Sequence, residues 1–193
     1  MKHTIGAFAV LAMVSPAIIA AQPPKTAGTQ TTPAQGPRPA PASSDNRLSM
    51  AGFTIDYPKR DWDLFPSVGS SVVVFVHRSK EATVAIEHAP IPIALGPDDI
   101  IDVTISNEVS EWRNRRPYAT AFSPQPPQTY AGEKFILIDL DQPSAQGGSE
   151  HVRLYTFFRG TSKFRVICTT KGPLFKKYMD TLHRIALSLY TPQ

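Results

Sequence analysis

The chain is short of cysteine, of long apolar runs and of glycine-rich loops, and each shortage excludes something. Cys168 is the sole cysteine, so no disulfide can form within one chain. Beyond residue 21 no stretch approaches the ~20 apolar residues that a membrane-spanning helix needs. Gly-x-Ser-x-Gly is absent; Ser70 and Ser71 follow Gly69 but precede a β-branched run, not a helix, which is the wrong setting for a nucleophile elbow. Gly147-Gly148 has no helix start after it, so no phosphate cradle and no cofactor are expected. His77, His88, His151 and His183 share no metal-ligand spacing, and no metal site is expected. Net charge is small, formally +4. The cations are scattered along the chain at Lys59-Arg60, Arg113 to Arg116, Lys163 to Arg165 and Lys176-Lys177. Nucleic-acid binders concentrate theirs on one face, so nucleic acid is not an expected partner. An anionic lipid headgroup or wall polymer is compatible with the slight basic surplus.

What is present begins with an export signal. Lys2 precedes an apolar run from Ile5 to Val14; Ser15-Pro16 breaks it, and Ala17 to Ala21 follows. A positive start, an apolar centre and small residues at the exit make a secretory leader, residues 1–21, cleaved after Ala20 or Ala21. Residues 22–46 hold Pro, Ala, Thr, Gln and Ser and lack large apolar side chains. That composition cannot offset ordering entropy, so a disordered tether is expected. Residues 47–193 then make one domain of about 145 residues, large enough to fold without a staple.

The alternation of Gly52 to Tyr57, closed by Pro58, predicts a strand. Ser71 to His77 and Ala82 to His88 predict a hairpin across Arg78 to Glu81, ended by Pro90 and Pro92. Val72 to Val76 is apolar on both faces, as in a sheet covered on both sides. Gly96-Pro97-Asp98-Asp99 opens a helix whose buried stripe is Ile101, Ile105, Val109 and Trp112 and which stops at Pro117. The Pro-rich run from Tyr118 to Thr129 is expected to cross the surface. Three strands follow, Lys134–Leu140, His151–Phe158 and Lys163–Thr169, the last two joined by a tight turn at Gly160-Thr161. That turn pairs Phe157 with Phe164, Tyr155 with Val166 and Arg153 with Cys168. Gly172-Pro173 opens a final helix with Leu174, Tyr178, Leu182, Ile185 and Leu189 inward.

This order predicts an α+β fold, a single antiparallel sheet packed by helices. The order, the opening Phe53-Thr54-Ile55-Asp56-Tyr57-Pro58 followed by Trp62, and the aromatic final helix together resemble the PsbP-like α/β/α sandwich. That superfamily includes DcrB-type envelope proteins, LpqN-type lipoproteins and a Ran-binding import factor. The resemblance covers residues 48–190 and implies binding or assembly roles. It carries no functional motif onto particular residues here, and without a cysteine near the leader no lipid anchor is inherited.

For chemistry, Asp139, Asp141, Glu150 and His151 flank the loop 142–149, with Asp141 expected to face Glu150. Opposed carboxylates hold calcium or act as acid and base, although a water-exposed loop base is the plainer reading. Cys168 reads as a core residue, and an exposed thiol beside Arg153 would have a lowered pKa. No acid, base and nucleophile share a recognised spacing. The expectation is therefore an exported, non-enzymatic binding or assembly module at the cell envelope, its partner an envelope protein or an anionic envelope component. The candidate binding residues are Arg113, Arg115 and Arg116, with the 142–149 loop. The rivals are a small envelope hydrolase with dispersed residues and a carrier of lipid or another hydrophobic ligand.

Overall fold

The computed structural model describes residues 45–50, 52–66 and 72–191. The expected leader, nearly all of the expected tether and the Ser70-Ser71 pair lie outside them. The described chain runs β1 (Asn46–Met50), β2 (Phe53–Tyr57), β3 (Trp62–Pro66), β4 (Val72–His77) and β5 (Ala82–Leu95). A 3-10 turn (Pro97–Asp99) leads into α1 (Asp102–Arg115). Then come β6 (Ala121–Pro124), β7 (Gln128–Tyr130), β8 (Glu133–Pro143), β9 (Ser149–Lys171), a second 3-10 turn (Gly172–Leu174) and α2 (Phe175–Leu187).

The large sheet has the order β3-β4-β5-β9-β8-β6, with β7 also on β8, and its pairings are antiparallel. β1 and β2 form a separate two-stranded ribbon. This corrects the expectation of a single sheet. β2 is a strand, as its alternation requires, but it lies across the large sheet. Its Phe53 ring meets Phe164 edge-on at 6.0 Å and Tyr57 meets Phe75 at 4.7 Å. One edge of β2 is taken by β1, and Thr54 exchanges backbone hydrogen bonds with Tyr190 beyond α2. Alternation specifies a strand with one buried face; it does not specify which edge that strand joins.

Two cores result. α2 and the ribbon cover one face of the sheet, over Phe75, Val84, Phe157 and Phe164. α1 covers the other, over Ile136, Ile138, Leu154 and Ile167. α2 buries Tyr178, Leu182 and Ile185 as its periodicity predicts, and Leu189, just past its end, is buried too. α1 departs from its predicted stripe. It starts at Asp102, with Ile101 still extended, so Ile101 is off the helical period and 57% exposed while Ile100 is buried.

β9 is extended without a break where two strands and a turn are expected. It nevertheless doubles back. A Cβ built on Gly172, just past its last residue, would lie 2.5 Å from Oγ of Ser149, its first residue. A straight strand of that length would separate the two by roughly 75 Å. Gly160 supplies the reversal with φ +58°. Tyr155 and Phe157 then share a core face with Phe164, Val166 and Cys168, the odd-to-even switch that the expected register demands. The first arm pairs with β8 and the second with β5. The run is unbroken because the tip stays bonded to a lengthened β5, with Leu95 opposite Gly160. β5 keeps Pro90 opposite Ser162 and then passes Pro92 inside a register shift, where regular pairing is interrupted. The Pro-rich stretch after α1 likewise forms short strands, β6 and β7, at the edge of β8.

Candidate functional site

The C-terminal turn of α1 gathers Arg113, Arg115 and Arg116. Arg115 donates two hydrogen bonds to Glu87 of β5, at 2.9 and 2.6 Å, and its guanidinium lies 4.3 Å from the Trp112 ring centre. The bond to Glu87 raises its pKa, more than burial lowers it. Arg116 donates to Gln142 Oε1 at 3.0 Å, and Gln142 donates to Glu150 Oε2 at 2.9 Å. Ser144 of the loop also donates to Glu150, at 2.9 Å. Thus the helix end and the 142–149 loop, separate surfaces in the sequence, are one. Arg113 stands apart from this chain of bonds. It is exposed, sits 5.6 Å from the Phe122 ring centre, and has no carboxylate partner among the described residues.

Beneath α1 lies a buried ionic group that apolar periodicity does not show. Glu108, 3% exposed, accepts from Arg165 at 2.6 and 3.0 Å, from Thr156 at 2.9 Å and from Trp112 Nε1 at 3.1 Å. Glu111 completes it at the solvent edge with Arg165 and Lys163. Its carboxyl is pulled down to about 2, chiefly by the hydrogen bond from Arg165. A signal for Glu108 does exist: it stands four residues before Trp112, on the helix face that Trp112 buries.

Across the sheet, the loop base is a second polar cluster. Asp141 faces His151, and Gln142 faces Glu150, so the expected opposition of Asp141 and Glu150 is corrected by one register position. His151 meets Asp141 through Nδ1 at 2.8 Å and Asp139 through Nε2 at 3.3 Å. Arg153 grips both oxygens of Asp139, at 2.7 and 2.8 Å. Phe175 of α2 covers them, 3.8 Å from the His151 ring centre and 4.9 Å from the Arg153 guanidinium. The hydrogen bond to Asp139 raises the His151 pKa, against burial. Burial alone would raise Asp139, but hydrogen bonds from His151 and Arg153 leave it lowered. Both ring nitrogens of His151 are thus engaged by the two aspartates.

Cys168 is buried, and burial pushes its thiol pKa up; the opposing field of Arg153 is the smaller influence. Tyr155 bonds Nδ1 of His183 at 2.9 Å, and burial raises its phenol pKa. His77 packs between Trp62 and Tyr178, and His88 stacks on Phe164 at 4.6 Å. Among the described residues no three His, Cys, Asp or Glu side chains are gathered to hold a metal ion.

No family model matches the chain, and no curated protein does. Solved structures do. PsbP from the cyanobacterium Synechocystis sp. PCC 6803 (CyanoP) superposes with a TM-score of 0.58 at 12% identity, over 78% of this chain and 94% of that one. LpqN of Mycobacterium tuberculosis, involved in cell envelope biogenesis, superposes at 0.50 and 14% identity, over 77% and 91%. A Bacteroides thetaiotaomicron VPI-5482 protein reaches 0.50 at 13% identity, over 74% of this chain and 46% of that one. The chain has the PsbP-like fold.

In this PsbP-like sandwich the two polar clusters sit on opposite faces of the sheet, and the end of α1 reaches the loop that follows β8 through Arg116 and Gln142. The clusters themselves are closed. Asp139, Glu108, Arg165 and Arg153 are each bonded within the protein, whereas Arg113 is exposed.

Proposed function

We propose that this protein is an exported module that binds or assembles with a partner at the cell envelope and does no chemistry of its own. One observation carries the reading. Among the described residues the candidates for chemistry at the loop base, Asp139, Asp141, His151 and Arg153, are bonded to one another and Cys168 is buried, while Arg113 is exposed and without an acidic partner. The docking surface is Arg113, Arg115 and Arg116 with the loop 142–149, and it suits an acidic patch on an envelope protein. The likeness to CyanoP and LpqN supports a binding scaffold, and the apolar run of residues 5–14 supports export. No helix among the described residues is long and apolar enough to cross a membrane.

The test is cross-linked capture from envelope extract. One partner is expected to be held by wild type and lost from Arg113→Ser, and from the triple Ser variant of Arg113, Arg115 and Arg116. The single variant matters because Arg115 and Arg116 also brace the fold. Turnover in a broad hydrolase panel, abolished by changing His151 or Asp141, would overturn the reading in favour of the enzyme.

A further inference from the structure

The cations scattered in the sequence are collected by the fold. Four segments meet at the same end of the sheet. Arg78 of the β4–β5 turn donates its N–H to the carbonyl of Asp61 in the β2–β3 turn, at 2.9 Å. Lys171, ending β9, donates its N–H to the carbonyl of Glu81 at 3.3 Å. Lys177 and Tyr178, in the first turn of α2, reach the Glu81 carboxylate at 3.2 and 2.6 Å. These contacts bring Lys59, Arg60, Lys80, Lys171 and Lys176 together. All five are exposed, and none makes an ion pair among the described residues. Asp61 and Asp180 are the exposed carboxylates of these segments without a cationic partner among the described residues, so five cations against two acids leave three positive charges in excess.

We propose that this turn end is a docking surface for an anionic phospholipid bilayer. The composition favours lipid over other polyanions. Four of the five cations are lysines, compact charges on flexible stems without the fixed fork that reads a particular phosphate geometry. The nearby aromatics Trp62 and Tyr178 are buried, so nothing there stacks on bases as single-stranded nucleic acid requires. Met179, three residues beyond Lys176 and therefore on a neighbouring part of the α2 surface, is exposed, an apolar side chain that a headgroup layer accepts. The inference deepens the envelope reading above, on which it rests for its setting, and it does not use the α1 arginines.

The experiment is co-sedimentation of residues 22–193, which contain the whole described sandwich, with vesicles. One set is phosphatidylcholine alone and the other carries about 30 mol% phosphatidylglycerol, both at low salt and at about 0.5 M salt, where screening is strong. Binding to the anionic vesicles alone, lost at high salt, is expected. The variant Lys59→Gln, Arg60→Gln, Lys80→Asn, Lys176→Gln should partition roughly a thousandfold less. Its sites are exposed, and asparagine tolerates the φ of +59° at Lys80, so its melting temperature should match wild type. Arg113→Ser should bind vesicles like wild type. The proposal is overturned if wild type ignores anionic vesicles, if it binds heparin but not vesicles, or if the four-site variant melts normally and partitions as before. If wild type captures no protein partner, or Arg113→Ser still captures it, while binding to the anionic vesicles persists and is lost from the four-site variant, the α1 docking surface fails and this proposal stands.

Discussion

Glu108 shows what a single buried charge does to this protein. Its carboxylate oxygens are filled by Arg165, Thr156 and Trp112, so the pair is satisfied while both partners remain. Removing one leaves the other buried and uncompensated. Glu108→Gln is expected to cost about 3–5 kcal/mol in urea unfolding. Glu111→Gln, at the solvent edge of the same group, should cost at most about 1 kcal/mol. His151 makes a prediction in pH. Its folded pKa is raised above the ordinary 6.5, so its contribution is full below that value and is lost as pH rises through the folded pKa. His183 is lowered by burial and works in the opposite sense. The measurement is therefore a difference: between pH 6.5 and 8, stability should fall more steeply in wild type than in His151→Gln. Equal slopes would mean that the aspartates do not hold the imidazolium. Cys168, buried with a raised pKa, should ignore a thiol reagent in the native state and react once in denaturant.

Among the elements, β9 is the one whose course depends on two glycines. Gly172 leaves room for Ser149, and Gly160 takes the left-handed conformation at the reversal. Gly172→Ala should destabilise by about 1 kcal/mol, and Ser149→Ala in the same chain should restore most of that, because only the hydroxyl approaches so closely. Additive effects of the two changes would show that the ends of β9 do not meet. α1 teaches the converse lesson. Its apolar positions Val109 and Trp112 were legible, and helical spacing places Glu108 on the face that Trp112 buries, but its partner was not legible, since Arg165 comes opposite it only in the fold. Asp141 and Glu150 were legible as a loop base, yet one step of register gave Asp141 to His151 and Glu150 to Gln142.

For the whole molecule, the domain should be indifferent to what precedes it. The composition of residues 22–44 offers no core-forming side chain. A chain starting at Asp45 is expected to melt at the same temperature by calorimetry as one starting at Gln22. A fall of several degrees would mean that those residues pack on the sandwich. The charge pattern also belongs to this scale. Net charge is small, but the turns and the start of α2 carry the free lysines and Arg60 to one end. Both faces of the sheet are already covered by helices and the ribbon, so the docking proposed above falls to the ends, where strands give way to loops.

Alternation and helical spacing are local properties, and they alone determined that Phe53–Tyr57, Val72–His77 and the final helix exist and which side chains of α2 turn inward. Composition alone set the extent of the candidate domain and left Cys168 without a partner in its own chain. The tertiary structure decided whatever depends on residues far apart in the chain. It laid β2 across the sheet instead of on its edge, carried β5 past its prolines, placed Arg165 under Glu108, and brought Lys59, Lys80 and Lys176 to one surface. The reason is physical: a side chain's periodicity states that it must be buried or paired, but the partner is chosen by packing, which a one-dimensional pattern does not contain.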